Sequence, residues 1–355
     1  MKAPEPLDWH DLPDSARRVY LELLRYGPLT RPELAARASL SPSSLSRVSA
    51  PLRERGLLVE GELRRAPLGR PTTPLDVAID RYSLIGISIT HESIVAIATD
   101  ARLGVLSSRT LSITDTSPTA VLDAAAHLVD NLRIELASAR PGAQIAAIGV
   151  SIGGQIDRAR VVREAPFLGW RDVDAGGILA ARTGLPVLIG HDLTVLAEAE
   201  NWFGIGLETD RFIVLTVGIG TGFALVLNNQ VITDANTGFG TLTDAIRGPN
   251  WPSFAHPEKL DYEDLSRAAR ALGRLVGTAA AFTMPRGVVI SGEAAHLLAG
   301  HEEELDAGIA EVRHHNASGL DIRLRQHDFA FWARGAATAA IQWILETDKA
   351  PAPHL

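Results

Sequence analysis

One pattern of strands and helices occurs twice between residues 84 and 345, and it constrains the fold more than any other feature of the sequence. Its first occurrence comprises apolar strand-length runs at residues 84–89, 94–98, 103–106 and 110–113, a helical pattern at 118–136 and a buried strand at 145–152. Its second comprises strands at 212–217, 223–227 and 230–232, a helix at 265–284 and a strand at 287–290. Hairpins followed by a helix and a strand, twice over, predict two related α/β lobes. A cleft between lobes is where small ligands usually bind.

Length and composition are typical of a globular protein with more than one domain. At about 150 residues per domain, 355 residues suggest two or three domains. A content of 46% hydrophobic and 21% charged residues excludes wholesale disorder. There is no apolar run long enough for a membrane span, no signal-peptide core and no cysteine. We therefore expect a cytoplasmic protein without disulfides or thiolate metal sites.

The first seventy residues have the pattern of a winged helix-turn-helix. Apolar side chains at residues 16–24 follow one helical face, and a Gly-Pro pair ends that helix. Thr30 begins a capping-box pattern for a short second helix, and Pro42 opens a third after a tight connection. Two short helices joined in this way are typical of the motif, and the third helix is expected to enter the major groove of DNA.

Candidate DNA contacts lie at the start of the second helix and along the third: Thr30, Ser41, Ser43, Ser44, Ser46 and Arg47. Small hydroxyls allow close approach and donate to phosphates or base edges, and Arg47 suits a guanine edge or a phosphate. Ser49 is assigned to the same outward face. Pro51 is expected to kink or end the helix, because it removes a backbone hydrogen bond. The alternative is a plain polar surface.

A wing is expected after the third helix. Residues 57–59 predict a strand and residues 63–66 a returning strand. Its candidate DNA contacts are Arg64, Arg65 and Arg70. Because a proline follows Arg70, that residue is held extended, a form suited to a narrow minor groove. A plain linker is the alternative.

Charge is unevenly distributed along the chain. Residues 15–75 carry 11 arginines against 5 acidic residues, although the whole chain has a net charge of −8. A basic module on an acidic body indicates a nucleic-acid partner for the module alone. A solvated basic face would give the same count.

The glycines at residues 218–222 do not form a dinucleotide site. That fingerprint needs glycines that open a helix, whereas residues 223–227 predict a strand and so place the glycines in a hairpin. In ATPases of the actin type, such a hairpin grips phosphates through backbone amides. The alternative is a glycine-rich turn kept for its geometry.

Several short segments, in order along the chain, resemble the ROK family (repressor, open reading frame, kinase). The segments are Gly69-Arg70-Pro71, residues 153–157, 168–170 and 184–187, His191-Asp192, and residues 202–206, 218–222 and 290–293. The resemblance implies an N-terminal winged helix-turn-helix and a two-lobed α/β body of the actin and hexokinase type. It divides the chain into a DNA-binding domain (1–68), a linker (69–82) and an effector-binding and oligomerisation domain (83–355).

Departures from the family pattern affect the phosphate loop. Family kinases have Asp-x-Gly-x-Thr where this chain has Ser-Ile-Thr-His-Glu at residues 88–92. The segment lacks the acid that would hold magnesium and the glycines that admit phosphate, and Glu92 would repel a nucleotide. Asp192 matches the family's catalytic base, but no phosphate donor is expected for it to serve. It either binds a ligand hydroxyl or caps a helix.

The sugar-binding and zinc segments also differ. The family's Glu-x-Gly-His is replaced by residues 241–244, and the cysteine-rich zinc segment is absent. The resemblance therefore implies no metal, no cofactor and a remodelled pocket. The candidate ligand-binding residues are Gln155, His191, Asp192, Thr241 and Asp244. His191 either donates a hydrogen bond or packs as a neutral imidazole, and Trp170 is expected in the core.

These features predict a DNA-binding transcriptional regulator, a repressor rather than an activator, and not an enzyme. It is expected to form a homodimer or homotetramer, because two operator half-sites need two readers. A sugar or sugar derivative in the cleft would change the lobe or subunit orientation and thus the spacing of the recognition helices. Two alternatives stay open: a sugar kinase with an appended DNA-binding head, and a DNA-binding protein without a ligand.

Overall fold

In the computed structural model, the described residues are 11–63, 71–218, 220–233, 251, 254, 256–326 and 328–345. The N-terminal part, called the head below, contains three helices and a two-stranded antiparallel sheet: α1 (Asp14–Tyr26), α2 (Arg31–Arg37), α3 (Pro42–Glu54), β1 (Leu58–Glu60) and β2 (Leu75–Val77). Its three helices pack around buried apolar side chains of α1 and α3.

The short helices begin where the expected capping residues lie. The Thr30 hydroxyl accepts from the Glu33 amide, and the Glu33 carboxylate accepts from the Thr30 amide at 2.7 Å. The Ser41 hydroxyl accepts from the Ser44 amide at 3.2 Å and so caps α3. Helix α3 continues through Pro51 to Glu54, so the expectation that proline ends it is wrong. Pro51 lies in the last turn of α3, where it removes only one backbone hydrogen bond. The neighbouring side chain of Leu52 is fully buried and keeps that turn packed.

The returning strand of the head is not the predicted one. Strand β1 pairs with residues 75–77, whereas Leu63 lies outside any strand and residues 64–66 lie outside the described residues. Leu75 and Val77 are each 1% exposed and complete the core, whereas Leu63 is 59% exposed and has no core to join. Part of the segment expected as a linker therefore forms a strand.

The rest of the chain, called the body, contains two five-stranded sheets. The strands of the first are β3 (Tyr82–Ile89), β4 (Ser93–Asp100), β5 (Val105–Ser112), β6 (Gln144–Ile152) and β10 (Val187–His191). The strands of the second are β11 (Arg211–Val217), β12 (Thr221–Leu227), β13 (Gln230–Ile232), β14 (Gly287–Ser291) and β15 (Asp321–Leu324). Their orders are β10-β6-β3-β4-β5 and β13-β12-β11-β14-β15. Each sheet joins three antiparallel strands to two parallel ones, which is the repeated pattern seen in the sequence.

Helices and a small third sheet surround the two large sheets. The helices are α4 (Pro118–Ala139), α5 (Ala175–Thr183), α6 (Asp192–Phe203), α7 (Tyr262–Thr283), α8 (Glu302–Val312) and α9 (Phe329–Leu345). The small antiparallel sheet comprises β7 (Gln155–Asp157), β8 (Val161–Ala165) and β9 (Trp170–Val173). The sequence analysis missed this sheet, α8 and β15, and it divided β5 into two runs. Within the described part of the chain, no helix is long and apolar enough to cross a membrane.

Helix α9 packs directly on the first sheet because two facing strands carry glycine. Gly86 on β3 and Gly149 on β6 are register partners. A Cβ at either position would fall 1.9 Å from a carbonyl oxygen of α9, that of Ala333 or Ala336. On the opposite side, a Cβ at Gly335 of α9 would fall 2.0 Å from a carbonyl oxygen of α6. Glycine thus allows the sheet, α9 and α6 to approach one another closely.

The head and the body share one hydrophobic core. Buried side chains of α1, such as Tyr20 and Leu23, belong to the same cluster as Leu84 on β3 and Trp202 on α6. The guanidinium of half-buried Arg25 adds polar contacts across this boundary. Its Nη2 donates to acceptors 2.7–3.1 Å away on three body residues: Asn201, Gly206 and Asn229.

Candidate functional site

A cavity of about 320 Å³ lies between the two lobes. The first lobe contributes Ser151 at the end of β6, with His191 and Asp192 where β10 meets α6; the second contributes Thr216 of β11 and Glu293 after β14. The carboxyl ends of parallel strands from both sheets therefore meet at the cavity. This is the usual place for a ligand in an α/β fold.

Asp192 begins α6 and borders the cavity. Its Oδ1 accepts from the Leu193 amide at 2.7 Å and lies 3.3 Å from Nδ1 of His191. Its Oδ2 would lie 3.0 Å from a Cβ on Gly153, so the glycine leaves room for the carboxylate. The side chain is 46% exposed. Asp192 is the first residue of α6, and the N-cap position belongs to His191, which forms no side-chain cap, so the expected capping role of Asp192 is wrong and ligand binding stays a prediction.

Glu293 is the acidic residue of the second lobe. It lines the open cavity, and a Cβ on Gly218 would fall 1.9 Å from its Oε2. Surrounding protein atoms exclude water from the Glu293 carboxylate and so raise its pKa. The negative charges of Asp192 and Glu92 raise this pKa further, whereas His91 lowers it. No arginine or lysine is among the described residues that line the cavity. The cavity is therefore acidic.

The turn between β3 and β4, at the position of the family phosphate loop, uses its amides internally. The amides of Glu92 and Ser93 donate to the Thr90 hydroxyl at 3.3 and 3.0 Å, and the Thr90 amide donates to the Ser93 carbonyl at 2.9 Å. Phosphate loops instead present free amides to the anion. Thr90 and His91 nevertheless border the cavity with their other atoms.

The glycine-rich hairpin has the structure expected from the sequence. Strand β12 begins at Thr221, directly after the turn, and pairs antiparallel with β11. The rejection of a dinucleotide-binding helix at this position is confirmed. The Gly222 amide donates to the Thr216 hydroxyl at 2.9 Å, which closes the end of the hairpin beside the cavity.

The structure brings some of the predicted ligand-binding residues together and leaves others apart. His191 and Asp192 border the cavity, whereas Gln155 is exposed on β7 and does not line it. Thr241 and Asp244 lie outside the described residues. Trp170 is buried as expected, and its Nε1 donates to the Thr116 carbonyl at 2.6 Å.

The sequence analysis missed three kinds of cavity residue. They are the acid Glu293, the hydroxyl of Ser151 and the aromatic side chains Phe167, Phe329 and Trp332. The motif at residues 290–293 pointed to a turn but not to the direction of its acidic side chain. The aromatic residues lie far apart in the sequence, so no spacing could have joined them.

The outward face of α3 carries polar side chains. Ser43, Ser46 and Arg47 are exposed, and Arg47 forms no ion pair or hydrogen bond with the described residues. Ser44 is half-buried, and Ser41 and Thr30 serve as caps. The expectation for Ser49 is wrong: it is 5% exposed, because the helical turn directs it inward, and its hydroxyl donates to the Ser46 carbonyl at 3.3 Å. Arg64, Arg65 and Arg70 lie outside the described residues.

The residues of this chain do not fit the zinc ion that the family implies. The sequence has no cysteine. Within the described ranges, no three histidine, aspartate or glutamate side chains come together as a metal site. Zinc therefore enters no step of the function proposed below.

The sequence profile of the ROK family matches residues 84–242, which include the whole first lobe and the start of the second. Over these residues the chain belongs to the ROK family. Among curated ROK relatives, the DNA-binding transcriptional dual regulator NagC of Escherichia coli K12 is 25% identical over 232 residues, which are 63% of this chain and 55% of NagC. A transcriptional regulator of Mycobacterium bovis, Mb0495, is 30% identical over 246 residues, 67% of this chain and 54% of that protein. The chain thus spans about half the length of these relatives.

Kinases are also among the ROK relatives. A glucokinase of Streptomyces coelicolor is 32% identical over 148 residues, which are 41% of this chain and 44% of the kinase. The crystal structure of a ROK family transcriptional regulator, a homolog of the E. coli MLC protein, has a TM-score of 0.72 at 18% identity and covers 94% of this chain and 96% of its own. A ROK glucokinase from Streptomyces griseus, in complex with glucose and AMPPNP, has a TM-score of 0.56 at 17% identity. The match covers 73% of this chain and 99% of the glucokinase. These structures establish the fold.

Proposed function

We propose that this protein is a DNA-binding transcriptional repressor, with a winged helix-turn-helix head and a kinase-like body that binds a small effector. The observation that carries the proposal is the surface of α3. Arg47, Ser43 and Ser46 are exposed on the third helix of a three-helix head, and Arg47 has no partner within the described residues. An unpaired arginine beside small hydroxyls suits a phosphate or a guanine edge.

The comparisons support a regulator more than a kinase. The regulator structure aligns with 94% of this chain. The glucokinase structure aligns with only 73% of this chain, although 99% of the glucokinase is used. The share of this chain that the glucokinase leaves unmatched is large enough to include the whole head. NagC and Mb0495 are named as regulators. The internally bonded turn at Thr90 further supports a body without phosphoryl transfer.

The remaining parts of the proposal follow from DNA binding. The DNA-binding domain expected at residues 1–68 extends to β2 at residues 75–77, residues 83–355 form the effector-binding body, and a homodimer or homotetramer presents two recognition helices to two half-sites. The operator lies in chromosomal DNA, which implies a cytoplasmic location. Arg64, Arg65 and Arg70 remain candidate contacts of the wing with the minor groove.

The Arg47→Ala variant tests DNA binding. We expect operator affinity to fall about 5- to 150-fold, equivalent to about 1–3 kcal/mol for one arginine contact. Gel-shift titration at fixed salt, with duplexes from the region flanking the protein's own gene, measures this change. The control is Arg158→Ala, which removes the same charge from an exposed side chain of the body. Equal affinities for wild type and Arg47→Ala would refute the role of α3.

A sugar kinase with a DNA-binding head is the second candidate. It is favoured by Asp192, which matches the family's catalytic base and borders the cavity. Calorimetry with ATP and magnesium, followed by an assay for glucose phosphorylation, distinguishes the two functions. We expect neither nucleotide binding nor turnover, and clear turnover would establish the kinase instead.

A DNA-binding protein whose body only oligomerises is the third possibility. A thermal-shift screen with sugars and sugar derivatives tests it, because a bound ligand raises the melting temperature by mass action. We expect at least one compound of this class to raise it.

A further inference from the structure

The cavity between the lobes has the charge of a cation-binding site. Asp192 approaches it from the first lobe and Glu293 from the second. Glu92 adds negative charge close to Glu293, and the described lining residues include no arginine or lysine to balance these acids. Carboxylates gathered around one cavity repel anions and attract a cation.

A second, independent feature is a buried hydroxyl without a partner. Ser151 is 1% exposed and lines the cavity, and its Oγ has no hydrogen-bond partner among the described residues. Ser88, its register partner on β3, lines the same cavity. An unsatisfied buried hydroxyl destabilises the protein, and a hydrogen bond to a polar group of a ligand would remove that cost.

The remaining walls suit a sugar ring. The aromatic side chains Phe167, Phe329 and Trp332 line the cavity, together with the hydroxyl-bearing residues Thr216 and Thr221. A volume of about 320 Å³ lies within the usual size range of small-molecule sites. A pyranose ring can pack its apolar face on aromatic side chains while its hydroxyls form hydrogen bonds with neighbouring polar groups.

Glu293 determines what else the ligand must carry. Its carboxylate lies against Gly218, at the start of the hairpin that in actin-type ATPases contacts phosphate. A sugar phosphate or a nucleotide would bring a second anion to this carboxylate. A protonated amine would instead form a charge-assisted hydrogen bond with it.

We propose that the cavity binds a hexosamine with a free, protonated amine, whose ammonium pairs with Glu293 and Asp192 and whose ring hydroxyl bonds to Ser151. This inference rests on the proposed function, because it names the class of effector for the same cleft. The three side chains come from β6, α6 and the turn after β14, so the ligand contacts both lobes at once.

Calorimetry with the full-length protein tests the proposal. The probes are glucosamine, galactosamine and mannosamine, each compared with its neutral parent hexose and with its N-acetylated form at one near-neutral pH. We expect at least one free amine to bind at least tenfold more tightly than both of its neutral counterparts. Raised salt should weaken that binding and leave the neutral sugars unaffected.

Three variants assign the contacts. Glu293→Gln should remove the preference for amino sugars over neutral sugars. Ser151→Ala should weaken the binding of amino sugars and neutral sugars alike. Glu303→Gln, which neutralises an exposed acid on α8, should leave binding unchanged. An unchanged preference in Glu293→Gln would overturn the assignment of the ammonium partner.

The outcomes separate this inference from the proposed function. If neutral or N-acetylated sugars bind as tightly as the amines, the cleft remains an effector site and the ammonium proposal is wrong. If no sugar of either class binds, the hexosamine proposal and the sugar-effector part of the proposed function both fail. DNA binding is then decided by Arg47→Ala alone.

Discussion

Asp192 and Glu293 lie on different lobes and give the cleft its charge, and we expect Glu293 to affect stability without any ligand. Its side chain is exposed to the open cleft, but desolvation by the surrounding protein atoms raises the pKa of its carboxyl group in the folded protein, and the charges of Asp192 and Glu92 raise it further. A raised pKa means that the folded state holds the proton more tightly than the unfolded chain does. Stability therefore falls as pH rises from the ordinary glutamate range through the raised pKa.

The Glu293→Gln variant should melt at a higher temperature than wild type at neutral pH. The rise should be modest, about 1–2 °C, because solvent in the open cleft screens the charge. At acid pH, where Glu293 is protonated in both states, the difference should vanish. Thermal unfolding of the ligand-free protein at both pH values measures this, with Glu303→Gln as the control. A lower melting temperature for Glu293→Gln at neutral pH would contradict the argument.

At the residue scale, the sequence predicted only the part of the site that lies in one short motif. His191 and Asp192 are adjacent, follow a recognisable strand and match a family pattern. Glu293 is about one hundred residues away, and its approach to Gly218 depends on the packing of β11 against β14. Ser151 looks like any small residue of a buried strand until its missing partner is seen.

At the scale of elements, the sequence pattern predicts where a strand lies but not which helix packs on it, as α9 and the first sheet illustrate. The apolar pattern located β6, the strand on which α9 packs, to within one residue. It did not show that the glycines of β3 and β6 form the surface on which α9 lies. A glycine within a strand suggests a close approach of backbone, but not which element approaches.

Gly149→Ala should destabilise the protein by about 1–3 kcal/mol. The added methyl group would collide with the Ala336 carbonyl, which is backbone and has no rotamer through which to move away. Urea unfolding measures the change. Gly319→Ala is the matched control, because no atom lies within 4 Å of its added Cβ. Similar midpoints for the two variants would show that α9 shifts without cost.

The strands that were missed or misplaced from the sequence are short. Strands β7 and β2 have three residues each, and β15 has four, so an alternating pattern has too few positions to be distinct. Strand β2 lies within residues 69–82, which the family resemblance assigns to a linker. Its two buried side chains are recognisable as core only when β1 and α1 lie beside them.

At the scale of the whole molecule, the head is joined to the body by packing and not only by the chain. Their buried apolar side chains form one cluster, and burial lowers the pKa of the Arg25 guanidinium, which reaches three body residues. The sequence indicated a separate basic module because 11 arginines lie within residues 15–75, and the family resemblance divided the chain into domains. Such averages carry no information about which surfaces meet.

Arg25→Ala should destabilise the protein by about 1.5–3 kcal/mol, because a charged donor is lost and the buried Asn201 amide group keeps fewer partners. Urea unfolding followed by tryptophan fluorescence measures this. Arg18→Ala, on the exposed side of the same helix, removes the same charge and should change stability little. Equal midpoints for the two variants would show that the contact across the boundary contributes nothing.

Helix α6 connects the cavity of the body with the head. It begins with Asp192 beside the cavity and carries Asn201, the partner of Arg25, in its last turn. Its 12 residues extend about 18 Å. A tilt of about 5° at the first turn therefore displaces the last turn by about 1.5 Å, which is enough to lengthen a 2.9 Å hydrogen bond beyond its limit. A rigid helix of this length would convert a small movement at Asp192 into a displacement of α1, the helix of the head that carries Arg25.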